Sequence, residues 1–272
     1  MTRTPVRTCV PSATDDPLAA DGASLYDLVR RLSCLRLAPG TVYIVSLPIG
    51  HPDDISIRAL RVLKAVSVIA AENPPLTRAL LHRYGIQTSV TGYRTHEGSL
   101  PIAGLLSRLR AGETVALVCD TGTPVVDDAG GSITRAALNA GLALCAVPGP
   151  VAAMAALVVA GCEDKSFAFD GFPPRHRTDR HTYFASLTAE MRNILIYESR
   201  RLLHDTLMCL RDSLGAERAT LVARDLTKAS QTLYYGALGE AVSQFCDPPV
   251  GEYTIVVSSR RRSNIQTRQD GD

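Results

Sequence analysis

Asp120, Thr121, Gly122, Thr123 and Pro124 follow directly on residues 115–119 (VALVC), an apolar run short enough and β-branched enough to be a buried strand. The change from that run to an acid, a small hydroxyl, a glycine and a proline is abrupt. Such a stretch can turn tightly, and Gly122 has no side chain to keep backbone amides away from a ligand. A second acidic pair, Asp127 and Asp128, stands before Gly130 and Gly131. An open α/β sheet binds its ligand where a strand ends in a polar, glycine-containing loop. An ordinary strand-to-helix turn has the same composition, so the loop alone leaves both readings open.

The elements that must position this loop read as strand–helix repeats. A strand is expected over residues 41–47, ended by Pro48-Ile49-Gly50, and then a helix with Ile57, Leu60 and Leu63 on its apolar side, capped by Asp53 or Asp54. A strand over 66–71 leads through Glu72-Asn73 to Pro74-Pro75, which suit the first positions of another helix. Leu76, Leu80, Leu81 and Tyr84 form its apolar side, and Gly85 stops it. A short strand near 88–90, a polar loop over 93–98 and a helix after Pro101 precede the central run. A helix through Ile133, Ala136, Ala137 and Ala140 and a strand over 142–147 follow it. The first half is thus an α/β domain. Pro148-Gly149-Pro150 breaks the chain sharply and marks the best domain boundary.

The second half is less regular. It opens on a small-residue helix over 151–159, then a strand over 167–169 and a basic loop with Arg175, His176, Arg177 and Arg180. Strands over 193–197, 219–223, 233–235 and 253–257, with helices at 181–189, 202–210 and 238–242, imply a mixed sheet. The expected organisation is an N-terminal extension (1–40, with an amphipathic helix over 24–37), an α/β domain (41–148), a mixed-sheet α/β domain (149–259) and a polar, mobile tail (260–272).

Composition narrows the class. The chain has 272 residues and a formal net charge of +2, which neither draws nor forbids nucleic acid. Aromatics are 5% of residues and tryptophan is absent, which leaves little material for a base-stacking platform. No run approaches the length of a membrane span and no secretory signal opens the chain, so a cytoplasmic protein without membrane contact is expected. Seven cysteines, odd in number and without C-x-x-C spacing, read as buried free thiols and not as a disulfide framework or metal site.

Read together, four separated segments carry a resemblance: VYIVSLPIG (42–50), CDTGTPVVDDAG (119–130), VPGPVAA (147–153) and VARDLTK (222–228), with GEYTIVV (251–257) near the end. In this order and spacing they resemble the tetrapyrrole methylase superfamily, and within it the ribosomal small subunit RNA methyltransferase I family, whose members methylate a cytidine 2′-hydroxyl. The resemblance implies a two-domain α/β fold with S-adenosylmethionine in the interdomain cleft, and commonly a homodimer. It assigns Pro48 and Gly50 to the cofactor wall, and Asp120, Thr121, Gly122, Thr123 and Pro124 to the methionine and ribose parts. Ala152 and Ala153 fall at the small-residue site, and Ala223 and Arg224 at the second-domain wall. A sulfonium donor needs its acceptor held within roughly 3–3.5 Å and shielded from water, which requires neither metal nor covalent intermediate.

Several segments depart from that family. Its A-E-D-T-R becomes Ala71-Glu72-Asn73-Pro74-Pro75, its H-N-E becomes His96-Glu97-Gly98, and its Y-E-S-P-H-R becomes Tyr197-Glu198-Ser199-Arg200-Arg201. These positions belong to acceptor-side loops, so the expected acceptor is a small molecule or another non-ribosomal substrate. Cytidine 2′-O-methylation of 16S ribosomal RNA is the alternative, and a cofactor-binding protein without turnover is a third reading. A hydroxyl acceptor must lose a proton, and His96, Glu97 and Glu72 are the catalytic candidates, with Asp127 and Glu198 behind them. Arg200, Arg201 and Lys228 are candidates for an anionic acceptor.

Overall fold

The computed structural model describes residues 35–93, 101–126, 128 and 130–259. The expected helix over 24–37 lies mostly outside them, and the C-terminal tail wholly outside. The contacts divide the chain into two compact units. Of the described residues, one holds those from 35 to 154 together with Leu226–Ser230, and the other holds Ala155–Asp225 and residues 231–259.

In the first unit five strands, β1 (Thr41–Val45), β2 (Val68–Ala71), β3 (Val90–Gly92), β4 (Val115–Val118) and β5 (Ala143–Val147), pair in the order β3-β2-β4-β1-β5, all parallel. Between them run α1 (Ile57–Ala65), α2 (Pro74–Arg83), α3 (Ile102–Arg110) and α4 (Gly130–Asn139). A parallel sheet covered on both faces requires apolar side chains at every position of its central strands, and β2 and β4 are buried throughout. Alternate residues divide between two cores. Tyr43, Val45, Ile69, Ala71, Ala116 and Val118 pack with Leu60, Leu63, Leu81 and Tyr84 of α1 and the α2 region. Val42, Val68, Ala70, Val115 and Leu117 pack with Leu105, Leu109, Ile133 and Ala137 of α3 and α4.

Helix starts follow local polar chemistry. Ser56, and not Asp53 or Asp54, caps α1, accepting from the Ala59 amide at 3.0 Å. Asp53 and Asp54 belong instead to a 3₁₀ turn, Pro52–Asp54, capped by His51. Asn73 caps α2, its Oδ1 accepting from Leu76 N at 3.4 Å, with Pro74 and Pro75 in the first turn as expected. Gly85 ends the turn that follows, at φ 63°.

The second unit has β6 (Phe167–Phe169), β7 (Asn193–Ser199), β8 (Ala219–Arg224), β9 (Thr232–Ala237) and β10 (Glu252–Val257) in the order β6-β7-β10-β8-β9. Only β6 and β7 pair in parallel, so the sheet is mixed. α6 (Arg177–Ser186), α7 (Arg200–Leu214) and α8 (Leu238–Gln244) bury Phe184, Leu203, Leu207, Leu210, Leu238 and Ala241 against Ile194, Ile196, Val222, Ile255 and Val257. α5 (Ala152–Ala160) crosses the division between units. It is apolar on all sides yet leaves Val158 81% exposed. Among the described cysteines all are free, but only Cys119 is buried and Cys246 is exposed.

Candidate functional site

All five strands of the first sheet end on one edge, and the loops there are tied to one another by hydrogen bonds. Behind β1, Leu47 N donates to Gly122 O at 2.8 Å and Gly122 N returns to Leu47 O at 3.1 Å. The Gly122 amide, expected to be open to a ligand, is therefore spent on this bridge; φ 78° makes glycine the fitting residue. Thr123 Oγ1 donates to Pro150 O at 3.0 Å and lies 2.8 Å from Ser46 Oγ. The loops after β1, β4 and β5 thus meet at Ser46, Thr123 and Pro150. Gly149 fits there because a Cβ would stand 2.7 Å from that of Ser46.

Asp128 clasps the rest of the β4 loop. Its carboxylate accepts from Val125 N at 2.9 and 3.0 Å and from Gly130 N at 2.6 Å. Val125, a β-branched residue at φ 77°, is held in a costly conformation by that clasp. Cys119 Sγ donates to Thr121 O at 3.1 Å. Burial, and then the Asp128 and Glu72 charges, push the Cys119 thiol well above its ordinary range. Tyr93, just after β3, is raised likewise by burial and then by Asp128, Glu72, Cys119 and Asp120, and its hydroxyl has no hydrogen-bond partner among the described residues. Both groups stay neutral at physiological pH, while Glu72, Asp120 and Asp128 give this edge of the sheet a negative potential.

Residues 226–230 complete the first unit. Thr227 takes φ 64° and Asp225 φ 51°, left-handed conformations rare for such side chains. Thr227 Oγ1 accepts from His51 N at 2.9 Å. A Cβ on Gly50 would meet Thr227 Oγ1 at 2.6 Å and the Leu226 carbonyl at 2.7 Å, so Gly50 is small to admit this segment. A cavity of about 280 Å³ results, lined among others by Pro48, Gly50, Asp120, Thr121, Lys228 and Arg83. Five of the residues singled out from the sequence share it. Arg83, Leu76 and Leu80 were missed as lining. Their signal was an apolar face on α2 too broad for the core: Leu76 is 47% exposed and only Leu81 and Thr77 are buried.

The other candidates are placed as follows. Glu72 follows β2, its amide donating to Val118 O at 3.3 Å. Ala152 and Ala153 open α5, with Ala153 buried. In the second unit Ala223 is buried in β8, and Arg224 packs on Gly251 with Nε 3.9 Å from Asp225. Arg200 is engaged by Pro248 O at 2.6 Å and by Asp247 at 3.2 Å, while Arg201 is exposed. Glu198, read from sequence as a residue that could reach the site, is buried; it accepts from Thr206 Oγ1 at 2.5 Å and pairs with Arg180 at 3.3 Å. His96, Glu97 and Asp127 lie outside the described residues.

Beside this parallel sheet with a small cavity at its strand-end loops, and the mixed-sheet unit that follows it, stands a family match: the model for tetrapyrrole (corrin/porphyrin) methylases covers residues 41–242. A ribosomal RNA small subunit methyltransferase I of Xylella fastidiosa (strain Temecula1) is 37% identical over 222 residues, 80% of this chain and 81% of its own. Its counterpart in Thermotoga maritima is 36% identical over 222 residues, 81% of this chain and 99% of its own. Among solved structures, uroporphyrin-III C-methyltransferase of Thermus thermophilus, complexed with S-adenosylhomocysteine, aligns with a TM-score of 0.58 at 16% identity, over 79% of this chain and 96% of that one. The chain belongs to the tetrapyrrole methylase family. It is an S-adenosylmethionine-dependent methyltransferase.

Proposed function

We propose that the protein methylates RNA of the ribosomal small subunit at a cytidine 2′-hydroxyl, and that it works as a homodimer. The observation that carries this reading is the 37% identity over 222 residues to a ribosomal RNA small subunit methyltransferase I. The sequence alone favoured a non-ribosomal acceptor because loops such as 71–75 depart from the family pattern. Comparison with whole chains turns the balance to the ribosomal alternative, and local geometry explains why that departure weighed too much. Asn73 stands where the family has an acid, and it caps α2, a task for which Asn and Asp are equally suited.

S-adenosylmethionine supplies an electrophilic methyl on a positive sulfonium. The chain fits it with a cavity whose polar wall includes the Asp120 carboxylate and whose apolar wall includes Pro48, Leu76 and Leu80. Asp120 is the acid in a lining that also holds Arg83 and Lys228, and Glu72 and Asp128 stand with it around Tyr93. Thr121 and Gly50 line the same space, and Gly122, Thr123 and Pro124 fix the loop that carries Asp120. The cofactor roles of Ala152, Ala153, Ala223 and Arg224 rest on the family motif. Lys228 and Arg83 are cations suited to an acceptor phosphate; Arg201, with Arg200, is assigned to the acceptor by motif. A 2′-hydroxyl must give up its proton, and His96, Glu97 or Glu72 takes it.

The test is methyl transfer from labelled donor to small-subunit particles from cells lacking this enzyme, followed by nucleoside mass spectrometry. Label in 2′-O-methylcytidine is expected. Label confined to the small-molecule fraction of an extract would restore the non-ribosomal reading.

A further inference from the structure

Away from the cavity of the first unit, the second unit mounts an aromatic ring at its surface with unusual firmness. Phe172 is 49% exposed. Its ring lies 5.7 Å from that of Tyr197, which in turn meets Phe169 at 4.8 Å, edge to face. These residues share the sheet face opposite the helices, because Ile194 and Ile196 of β7 point into the helix-covered core. The turn that carries Phe172 is pinned on both sides. Gly171, at φ 65°, accepts from Tyr197 N at 2.9 Å through its carbonyl. Pro173 is buried, and Pro174 O accepts from Arg180 Nη1 at 3.4 Å. The Arg180 guanidinium is itself buried, paired with Glu198 and bonded to Thr206, and stacked on Phe184 at 5.1 Å.

Cations lie close to the ring in the chain. Arg175 and Arg177 follow it at once and are exposed. Arg201 stands at the same edge of the sheet, since β6 and β7 run parallel and both end there. Of the nearby acids, Asp170 accepts from Tyr183 Oη at 3.1 Å and Asp179 is exposed in the first turn of α6. Phe167, on the same sheet face, is 37% exposed as well, but Arg175 and Arg177 beside Phe172 leave the patch more charged than the core of a protein interface. A rigid π-face beside exposed guanidinium arms is what a single-stranded nucleic acid uses: the ring takes a base, the arginines take phosphates.

We propose that Phe172, backed by Tyr197 and flanked by Arg175 and Arg177, is a stacking platform for an unpaired base of the RNA acceptor. The proposal deepens the ribosomal RNA reading and rests on it. Because the ring is already ordered, binding loses little conformational freedom there. The buried Arg180–Glu198–Thr206 group acts as a positioning device for the turn that carries the ring.

The experiment uses the full chain and a short unstructured oligoribonucleotide carrying 2-aminopurine, whose fluorescence is quenched by stacking. Phe172→Ala should weaken binding by about tenfold and abolish the added quenching. Phe172→Trp should restore both. The double variant R175Q/R177Q should keep the quenching, weaken binding and reduce the salt slope of log affinity by about 1.4. Donor affinity by calorimetry should be unchanged in every variant, and on small-subunit particles Phe172→Ala should raise KM and leave kcat. Wild-type quenching and affinity in Phe172→Ala would overturn the proposal, as would failure of Phe172→Trp to restore them. Loss of particle binding with intact oligonucleotide binding would assign the ring to a ribosomal protein and also overturn it. A wild-type protein that quenches the probe but methylates no ribosomal RNA would keep the platform and remove the ribosomal reading.

Discussion

Asp120→Asn removes a negative charge from the cavity wall without changing its shape. Affinity for the positively charged donor should fall by about tenfold, equivalent to roughly 1–2 kcal/mol for a charge pair at a partly exposed site. Affinity for the neutral product S-adenosylhomocysteine should hardly move. Calorimetry with the two ligands separates a charge effect from a collapsed loop, which would weaken both. Tyr84 offers a test of a different sort. Its hydroxyl donates to Pro52 O at 2.5 Å, and burial, the largest cause, pushes its pKa up to about 12. The unfolded phenol ionises near 10, so the stability that Tyr84 contributes is complete below pH 10 and is lost as pH rises through 12. Tyr84→Phe should cost about 1 kcal/mol at neutral pH. It should also flatten the alkaline loss of stability between those limits, as read by urea unfolding across that range. The place of Asp120 at a strand end was legible because an acid after a β-branched run stands out. The work of Asp128 was not, since a clasp on Val125 and Gly130 depends on a backbone conformation that no residue type announces.

At the scale of elements, Asn73→Ala should destabilise the first unit by about 1 kcal/mol through loss of the α2 cap. Urea unfolding reads that loss, and Asn73→Asp should leave stability near the wild-type value. Alternation and punctuation made most of the strands and helices readable. Residues 115–118 and 41–45 are strands because β-branched side chains fill both faces of a covered sheet. Boundaries suffered where one apolar residue served two elements. Val66 reads as the start of β2 but caps α1, its amide returning to Val62 O at 3.0 Å. α6 begins at Arg177, earlier than its apolar pattern suggests, because the anchor of its first turns is the buried Arg180. A buried arginine is intelligible only once Glu198 is known to face it. Likewise nothing in the letters Asp225-Leu226-Thr227 announces positive φ, since glycine and asparagine are the usual markers. That is why the segment over Gly50 escaped a reading that found both of its ends.

For the whole molecule, the proposed homodimer can be tested on α5. A helix apolar on every side is normally covered, yet Val158 is 81% exposed and Met154 and Val159 are 36% and 37% exposed. Light scattering should return the mass of two chains, and Val158→Asp should return the mass of one with donor affinity intact. No helix among the described residues is long and apolar enough to cross a membrane. The placement of Leu226–Ser230 with the first unit has a further bearing. When translation has delivered residue 154, every strand of the parallel sheet has been synthesised, but the piece that closes over Gly50 and supplies Lys228 is still more than seventy codons away. A nascent chain therefore holds every strand of the sheet before it holds the whole lining of the pocket. Cutting the gene at the junction between the units would make that shortfall permanent.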